Sequence, residues 1–316
     1  MFGFCKSLKS GVIAFKTRSN GKLLLTGEYF VLEGALALSA PLKWGQTMKV
    51  TESSGSDLRW VTLDHEGKKW FECILNLIDF SIEKTNDEEK AKFIQQLVTS
   101  LIQLNSDFLS KWKKYKVDCV LEFNPAWGFG SSSTLITNLA TWAEVSPFEL
   151  FFETQVGSGF DIASAMADAP ILYQKDDESL TFEEIDLSQV VIDHSVVFYR
   201  GNKVNSHGAV EKWKMGKKVK SVDIDQMNSL SNAITNCNSV STYQDAVKEH
   251  ELLVKKYIDV DCIQSQFSDY EGTMKSLGAW GGDFGLAVHE DADYTLQYLK
   301  TKGIDTAFKL GDILLT

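Results

Sequence analysis

The segment Pro125-Ala126-Trp127-Gly128-Phe129-Gly130-Ser131-Ser132-Ser133-Thr134 joins two stretches of different periodicity, and that junction constrains the fold more than any other part of the chain. Upstream, Val117, Cys119, Leu121 and Phe123 alternate with Asp118, Val120 and Glu122, the period-2 pattern of a half-buried strand. Downstream, Leu135, Ile136, Leu139, Ala140 and Ala143 recur at helical spacing and form one apolar face. The order is strand, glycine-serine loop, helix. Two glycines let the backbone approach a ligand closely, three serines add hydroxyl donors, and a helix start presents unpaired N–H groups at a positive dipole end. An anionic ligand suits such a loop, nucleotide phosphate first among them. A second reading stands beside it: serine is a favoured N-cap residue, so Ser131 to Ser133 would simply start the helix. The loop lacks the Gly-Lys-Ser/Thr ending of a Walker A sequence, and Ser133 stands where the dinucleotide fingerprint needs a third glycine.

A chain of 316 residues is long for one core and suits two domains with a cleft between them. The boundary is expected near residue 190, giving domains over 1–190 and 191–316. A formal net charge of -11 disfavours a general nucleic-acid binder, whose affinity comes from clustered Lys and Arg. The short basic run Lys111-Trp112-Lys113-Lys114-Tyr115-Lys116 is expected to be a solvated helix end, and Lys217, Lys218 and Lys220 a solvated patch. Cys5, Cys73, Cys119, Cys237 and Cys262 are scattered, without Cys-x-x-Cys spacing, which suits a reducing cytoplasm and neither zinc nor a disulfide framework. The five histidines are equally dispersed, which argues against a histidine-based metal site. The apolar run Val12 to Phe15 is too short for a signal core or a membrane span.

Short strands are expected at Val12 to Phe15, Lys22 to Leu25, Thr47 to Thr51, Leu58 to Leu63 and Lys69 to Leu75, with turns at Gly21, Gly34, Gly55 and Gly67. Phe93, Ile94, Leu97, Val98, Leu101 and Ile102 mark a helix over that sheet. Ser146-Pro147 opens another, with Ser at the N-cap and Pro at N1. Val190 to Tyr199 is expected to be one buried strand; Ala246, Val247, His250, Leu253, Val254 and Tyr257 a helix; Phe284 to Val288 a strand; and Tyr294 to Leu299 a helix. That order predicts an α+β fold.

Three glycine-containing segments, far apart, belong together. They are Ser19-Asn20-Gly21-Lys22-Leu23-Leu24-Leu25-Thr26-Gly27-Glu28-Tyr29, the 125–134 loop, and Ser276-Leu277-Gly278-Ala279-Trp280-Gly281-Gly282-Asp283. In order and spacing they resemble the three signature motifs of the GHMP kinases, named for galactokinase, homoserine kinase, mevalonate kinase and phosphomevalonate kinase. A fourth segment, Gly157-Ser158-Gly159-Phe160-Asp161-Ile162-Ala163, is similar to the aspartate segment of the mevalonate and phosphomevalonate kinase branch. The resemblance covers nearly the whole chain and implies a two-domain GHMP kinase fold, a ribosomal protein S5 domain 2-like N-terminal domain against a ferredoxin-like C-terminal domain. It implies ATP and Mg²⁺ as cofactors, a small-molecule acceptor in the cleft, and a place in the mevalonate pathway of isoprenoid biosynthesis.

The resemblance also implies roles. Gly128, Gly130, Ser131, Ser132 and Ser133 would wrap the phosphates, and Ser132 would help hold Mg²⁺. Lys22 would place positive charge near the reacting oxygens, and Asp161 would accept the acceptor's proton, as catalysis of phosphoryl transfer requires. On local sequence alone, Lys22 is equally a strand-end lysine and Asp161 a helix cap. A second magnesium ligand would come from Glu153 or Glu144. Gly278, Gly281 and Gly282 would form the tight third turn, Gly281 and Gly282 beside the acceptor; the plainer reading is a turn between strand and helix.

Departures from the pattern bear on the acceptor. Tyr29 stands where mevalonate kinases carry histidine, Asn20 where proline precedes Gly-Lys, and Asp283 where the family has a small residue. The segment Tyr199 to His207 resembles the acceptor-facing strand-loop of phosphomevalonate kinases, so Arg18, Tyr29, Lys203 and Ser206 are the candidates to bind an anionic acceptor. The activity expected is phosphorylation of a mevalonate-like or phosphomevalonate-like molecule. A diphosphomevalonate decarboxylase-like enzyme and a non-catalytic binding protein on the same fold are the alternatives.

Overall fold

A computed structural model of the chain describes residues 12–110, 113–176, 179–201, 206–278, 280 and 284–315. It opens with two long antiparallel strands, β1 (Val12–Leu24) and β2 (Ala37–Ser53). The two strands expected at 12–15 and 22–25 are one strand, because the chain pairs with β2 through Gly21 instead of turning there. A side chain at Gly21 would stand 2.8 Å from the Trp44 carbonyl oxygen, so close strand packing explains that glycine. Along β2, buried Gln46, Met48 and Val50 alternate with half-buried Thr47 and Lys49, as a strand with one covered face must.

Next come β3 (Asp57–Leu63), β4 (Lys69–Asn76), β5 (Ile82–Thr85), α1 (Glu88–Leu104) and β6 (Lys114–Leu121). Of the expected helix end at 111–116, Lys111 and Trp112 lie outside the described residues, and Lys114 to Lys116 are strand instead: the Tyr115, Val117, Cys119, Leu121 alternation runs back into the basic residues, and Lys114 enters the sheet paired to Asp57 at 2.9 Å. Then follow α2 (Ser131–Trp142), α3 (Pro147–Thr154), α4 (Phe160–Met166), β7 (Ile171–Lys175) and β8 (Leu180–Glu184). The resulting sheet has the order β5-β4-β3-β6-β2-β7-β8, with β1 also on β2; β3 and β6 run parallel and the other pairs antiparallel. Ile94, Leu97 and Leu101 of α1, Ile136 and Leu139 of α2 and Leu150 of α3 pack with Met48, Val50, Trp60 and Val117 of the sheet.

The segment expected as one strand over 190–199 divides into α5 (Gln189–Asp193), started by the Ser188 hydroxyl accepting the Val190 N–H, and β9 (Ser195–Tyr199). After α6 (Ser206–Lys214), α7 (Ser221–Thr235) and α8 (Val240–Lys255) come β10 (Thr273–Leu277), β11 (Phe284–Val288), α9 (Ala292–Thr301), β12 (Ala307–Lys309) and α10 (Leu310–Ile313). The second sheet is antiparallel, in the order β10-β11-β9-β12. Val196 and Phe198 of β9 face one cluster with Leu299 of α9, while Val197 between them faces another. The third glycine segment therefore links two strands of a hairpin, rather than strand and helix.

The two sheets share a core. Leu23, Phe30, Leu42 and Phe129 form one cluster with Met227, Val247, Phe284 and Leu286. The chain returns to its beginning at the end: Leu314 bridges Leu42, and the Leu315 N–H donates to the Pro41 carbonyl at 3.0 Å. No helix among the described residues is long and apolar enough to cross a membrane.

Candidate active site

The glycine-serine loop is fastened directly to β1: the Lys22 N–H donates to the Phe129 carbonyl at 3.0 Å. Gly130, at φ 90°, is the N-cap of α2, and no side chain caps that helix. The Ser133 hydroxyl bonds back to the Gly130 carbonyl at 2.9 Å, and the Thr134 hydroxyl reaches Gln46 Oε1 at 2.9 Å. The serines therefore do not serve as the N-cap. The first turn of α2 opens at a positive dipole end beside the exposed Ser132.

Asp161 is carried by a second helix start of the same form. Gly159, at φ 86°, is the N-cap of α4, so Asp161 lies in the first turn and is not the cap. Between the two helix starts runs Lys22, whose Nζ sits 5.1 Å from the centroid of the Phe160 ring, a cation over an aromatic face.

Lys22, Gly128, Gly130, Ser131, Ser132, Ser133 and Asp161, three segments of the chain, line one cavity of about 560 Å³, together with Tyr29. Tyr29 is one of few non-glycine residues with positive φ, at 61°, and such strain in a cavity wall marks a position held by its surroundings. Its ring stacks on Trp213 at 5.0 Å and its hydroxyl accepts the Trp280 N–H at 3.2 Å.

Other candidates lie elsewhere. Arg18 does not line the cavity; its guanidinium donates to both carboxylate oxygens of Glu122, at 3.0 and 2.7 Å, and to the Lys43 carbonyl. Hydrogen bonding to Glu122 raises its already high pKa. Glu153 and Glu144 are exposed and outside the lining, so neither is placed as a ligand beside Ser132. Among the described residues, no group of three or more His, Cys, Asp or Glu could hold a metal ion. Lys203, Gly281, Gly282 and Asp283 lie outside the described residues, and Ser206 begins α6 with its side chain likewise outside them.

Behind the cavity wall is a charged group that sequence reasoning missed. Glu28, which also lines the cavity, Lys275 of β10 and His250 of α8 have side chains with no solvent exposure. Lys275 Nζ pairs with Glu28 Oε1 and donates to the Leu25 carbonyl at 2.8 Å. His250 Nε2 lies 2.9 Å from Glu28 Oε2 and 3.1 Å from the Gly27 nitrogen, while its Nδ1 has no hydrogen-bond partner. Burial opposes ionisation of Glu28, but the Lys275 ammonium beside it outweighs burial and holds the carboxyl below its usual range. Burial, helped by Lys275, lowers the His250 pKa, so the ring stays neutral at pH 7. The signal was a lysine inside the apolar run of a strand, Met274-Lys275-Ser276-Leu277, which demands a buried partner.

No protein-family model matches the chain, and no curated protein matches it in sequence. Its architecture is that of the GHMP kinases, the two-domain α+β fold that the motifs imply. Streptococcus pneumoniae phosphomevalonate kinase, solved with phosphomevalonate and AMPPNP, matches with a TM-score of 0.68 at 17% identity, over 93% of this chain and 99% of that one. Methanococcus jannaschii mevalonate kinase matches with a TM-score of 0.65 at 14% identity, over 98% and 100%. Lactococcus lactis galactokinase, solved with galactose, matches with a TM-score of 0.61 at 11% identity, over 93% and 91%.

Proposed function

We propose that this chain is an ATP- and Mg²⁺-dependent small-molecule kinase, transferring the γ-phosphoryl group to an anionic acceptor of the mevalonate or phosphomevalonate type. The observation that carries the reading is the convergence of Lys22, the Gly128 to Ser133 loop and Asp161 on one cavity in a GHMP kinase fold. The uncapped start of α2 suits phosphate: its N–H groups and the serine hydroxyls are donors, and the left-handed Gly130 brings the backbone close. Lys22, the cation among the described lining residues, offsets charge on the transferring group and the acceptor. Asp161 accepts the proton that the acceptor oxygen loses as its bond to phosphorus forms and ADP leaves. Mg²⁺ on the ATP phosphates would neutralise their charge during transfer. The Ser132 hydroxyl in the cavity lining would be a protein oxygen for such an ion, which takes one or two with phosphate and water.

The test is incubation with Mg-ATP and a panel of mevalonate, phosphomevalonate, diphosphomevalonate and galactose, followed by phosphorus NMR and mass spectrometry. A phosphorylated mevalonate or phosphomevalonate supports the reading. Carbon dioxide release from diphosphomevalonate would replace it with a decarboxylase, and nucleotide binding without transfer would replace it with a binding protein.

A further inference from the structure

The Glu28, Lys275 and His250 group joins the first glycine segment to the third, across the junction of the two sheets. A fully buried ion pair contributes little net stability, because desolvation offsets its attraction and an apolar pair of similar volume does as well. What it adds is direction. Lys275 Nζ is fixed by two oxygens, the Glu28 carboxylate and the Leu25 carbonyl, so it sets the path of residues 25–28. The strained Tyr29 follows immediately, and its hydroxyl accepts from Trp280, five residues beyond Lys275 on the same hairpin. The two segments are thus tied twice: by charge at Glu28 and Lys275, and by a hydrogen bond at Tyr29 and Trp280. Glu251 strengthens the strand side, accepting the Ser276 and Ile263 N–H groups, each at 3.0 Å.

We propose that Lys275 is a positioning residue which, through Glu28, holds Tyr29 in its strained, positive-φ conformation at the acceptor end of the cavity. The acceptor end rests on the kinase reading; the holding of Tyr29 does not. On the kinase reading nucleotide phosphates meet the chain at the α2 loop, which takes no part in the Glu28 and Lys275 tie, so losing Lys275 should affect the acceptor and spare ATP.

Two variants and two readouts test this. Lys275→Met alone leaves a buried unpaired carboxylate and is expected to fold poorly, so Glu28→Gln/Lys275→Met removes both charges together. The expected result is a double variant that melts as a single transition near the native temperature and binds Mg-ATP within about twofold of native. Its amide exchange over residues 26–33 would be at least about tenfold faster, with the rest of both sheets unchanged. The acceptor KM would rise about tenfold or more. Native exchange over 26–33 in the double variant would overturn the proposal, as would exchange accelerated equally throughout, the mark of a purely structural pair. If native protein phosphorylates no acceptor, the kinase reading fails separately, and the exchange measurement still decides the role of Lys275.

Discussion

Lys22 and Gly130 are fitted to one another: a methyl group on Gly130 would stand 3.1 Å from Lys22 Cγ and 2.7 Å from Ser133 Oγ, at a φ of 90°. The proposed catalytic lysine is therefore placed partly by the missing side chain of the loop beside it. Gly130→Ala should cost on the order of 1–2 kcal/mol of stability from the left-handed backbone alone. Displacing Lys22 and Ser133 should also weaken Mg-ATP binding about tenfold or more. Thermal melts and nucleotide calorimetry measure the two effects, and unchanged nucleotide affinity would separate the loop from phosphate binding.

Asp161→Asn is expected to lower kcat about a hundredfold or more and to leave ATP affinity nearly unchanged, the size of lost acid-base assistance. Because Gly159 occupies the N-cap, the loss cannot be assigned to uncapping α4. Steady-state kinetics beside a melting curve make the comparison; near-native turnover removes Asp161 from the chemistry.

Ser132→Ala should raise the magnesium concentration needed for half-maximal nucleotide binding while leaving the fold intact, since Ser132 is exposed and does not cap α2. Titration of Mg²⁺ at fixed ATP reads this directly. An unaltered magnesium requirement would take Ser132 out of the metal's coordination.

Arg18→Ala should leave the acceptor KM and kcat within about twofold, because the side chain is spent on Glu122 outside the cavity. Its effect on stability should stay under about 1 kcal/mol, as for other partly exposed ion pairs. A large rise in acceptor KM would show that the guanidinium leaves Glu122 to meet the ligand.

Burial pushes Glu251 up to about 7 against the pull of Lys275 and its backbone donors, so the folded protein keeps a proton that the unfolded chain gives up near 4.5. This contribution is full below about pH 4.5 and is lost as pH rises through 7, on the order of 3 kcal/mol in all. Glu28 and His250, both lowered, act in the opposite sense: His250 sheds stability as pH falls below about 6.5, and Glu28 below about 4.5. Between pH 6.5 and 8 the Glu251 effect dominates, so native stability should decline there. Denaturant melts of Glu251→Gln across that range should be flatter than native, and parallel curves would refute the assignment.

The glycine loop and its flanking strand and helix were legible from local periodicity, whereas Lys22 and Asp161, which line one cavity, were brought together only by the family resemblance, since local sequence gives each a plainer reading. The α5 and β9 division was not legible, since Val190 to Ile192 and Val196 to Tyr199 are both short apolar runs, and periodicity cannot separate a short helix from a strand. His250 falls on the apolar face of α8, among Val247 and Val254, where spacing marks only a core position. Its partner Glu28 lies 222 residues earlier, and the partner of Lys275 lies 247 residues earlier, beyond any local rule. Arg18 misled for the same reason: nothing near it in sequence announces Glu122 across the sheet.

The bridge from Leu314 to Leu42 has a consequence for synthesis. Leu42 is completely covered in the finished protein, but its antiparallel partner is among the last described residues to leave the ribosome. N-terminal segments begin folding first as a chain is made. The nascent first sheet therefore stands with an apolar margin uncovered beside Pro41 until residues 310–315 are made and close it.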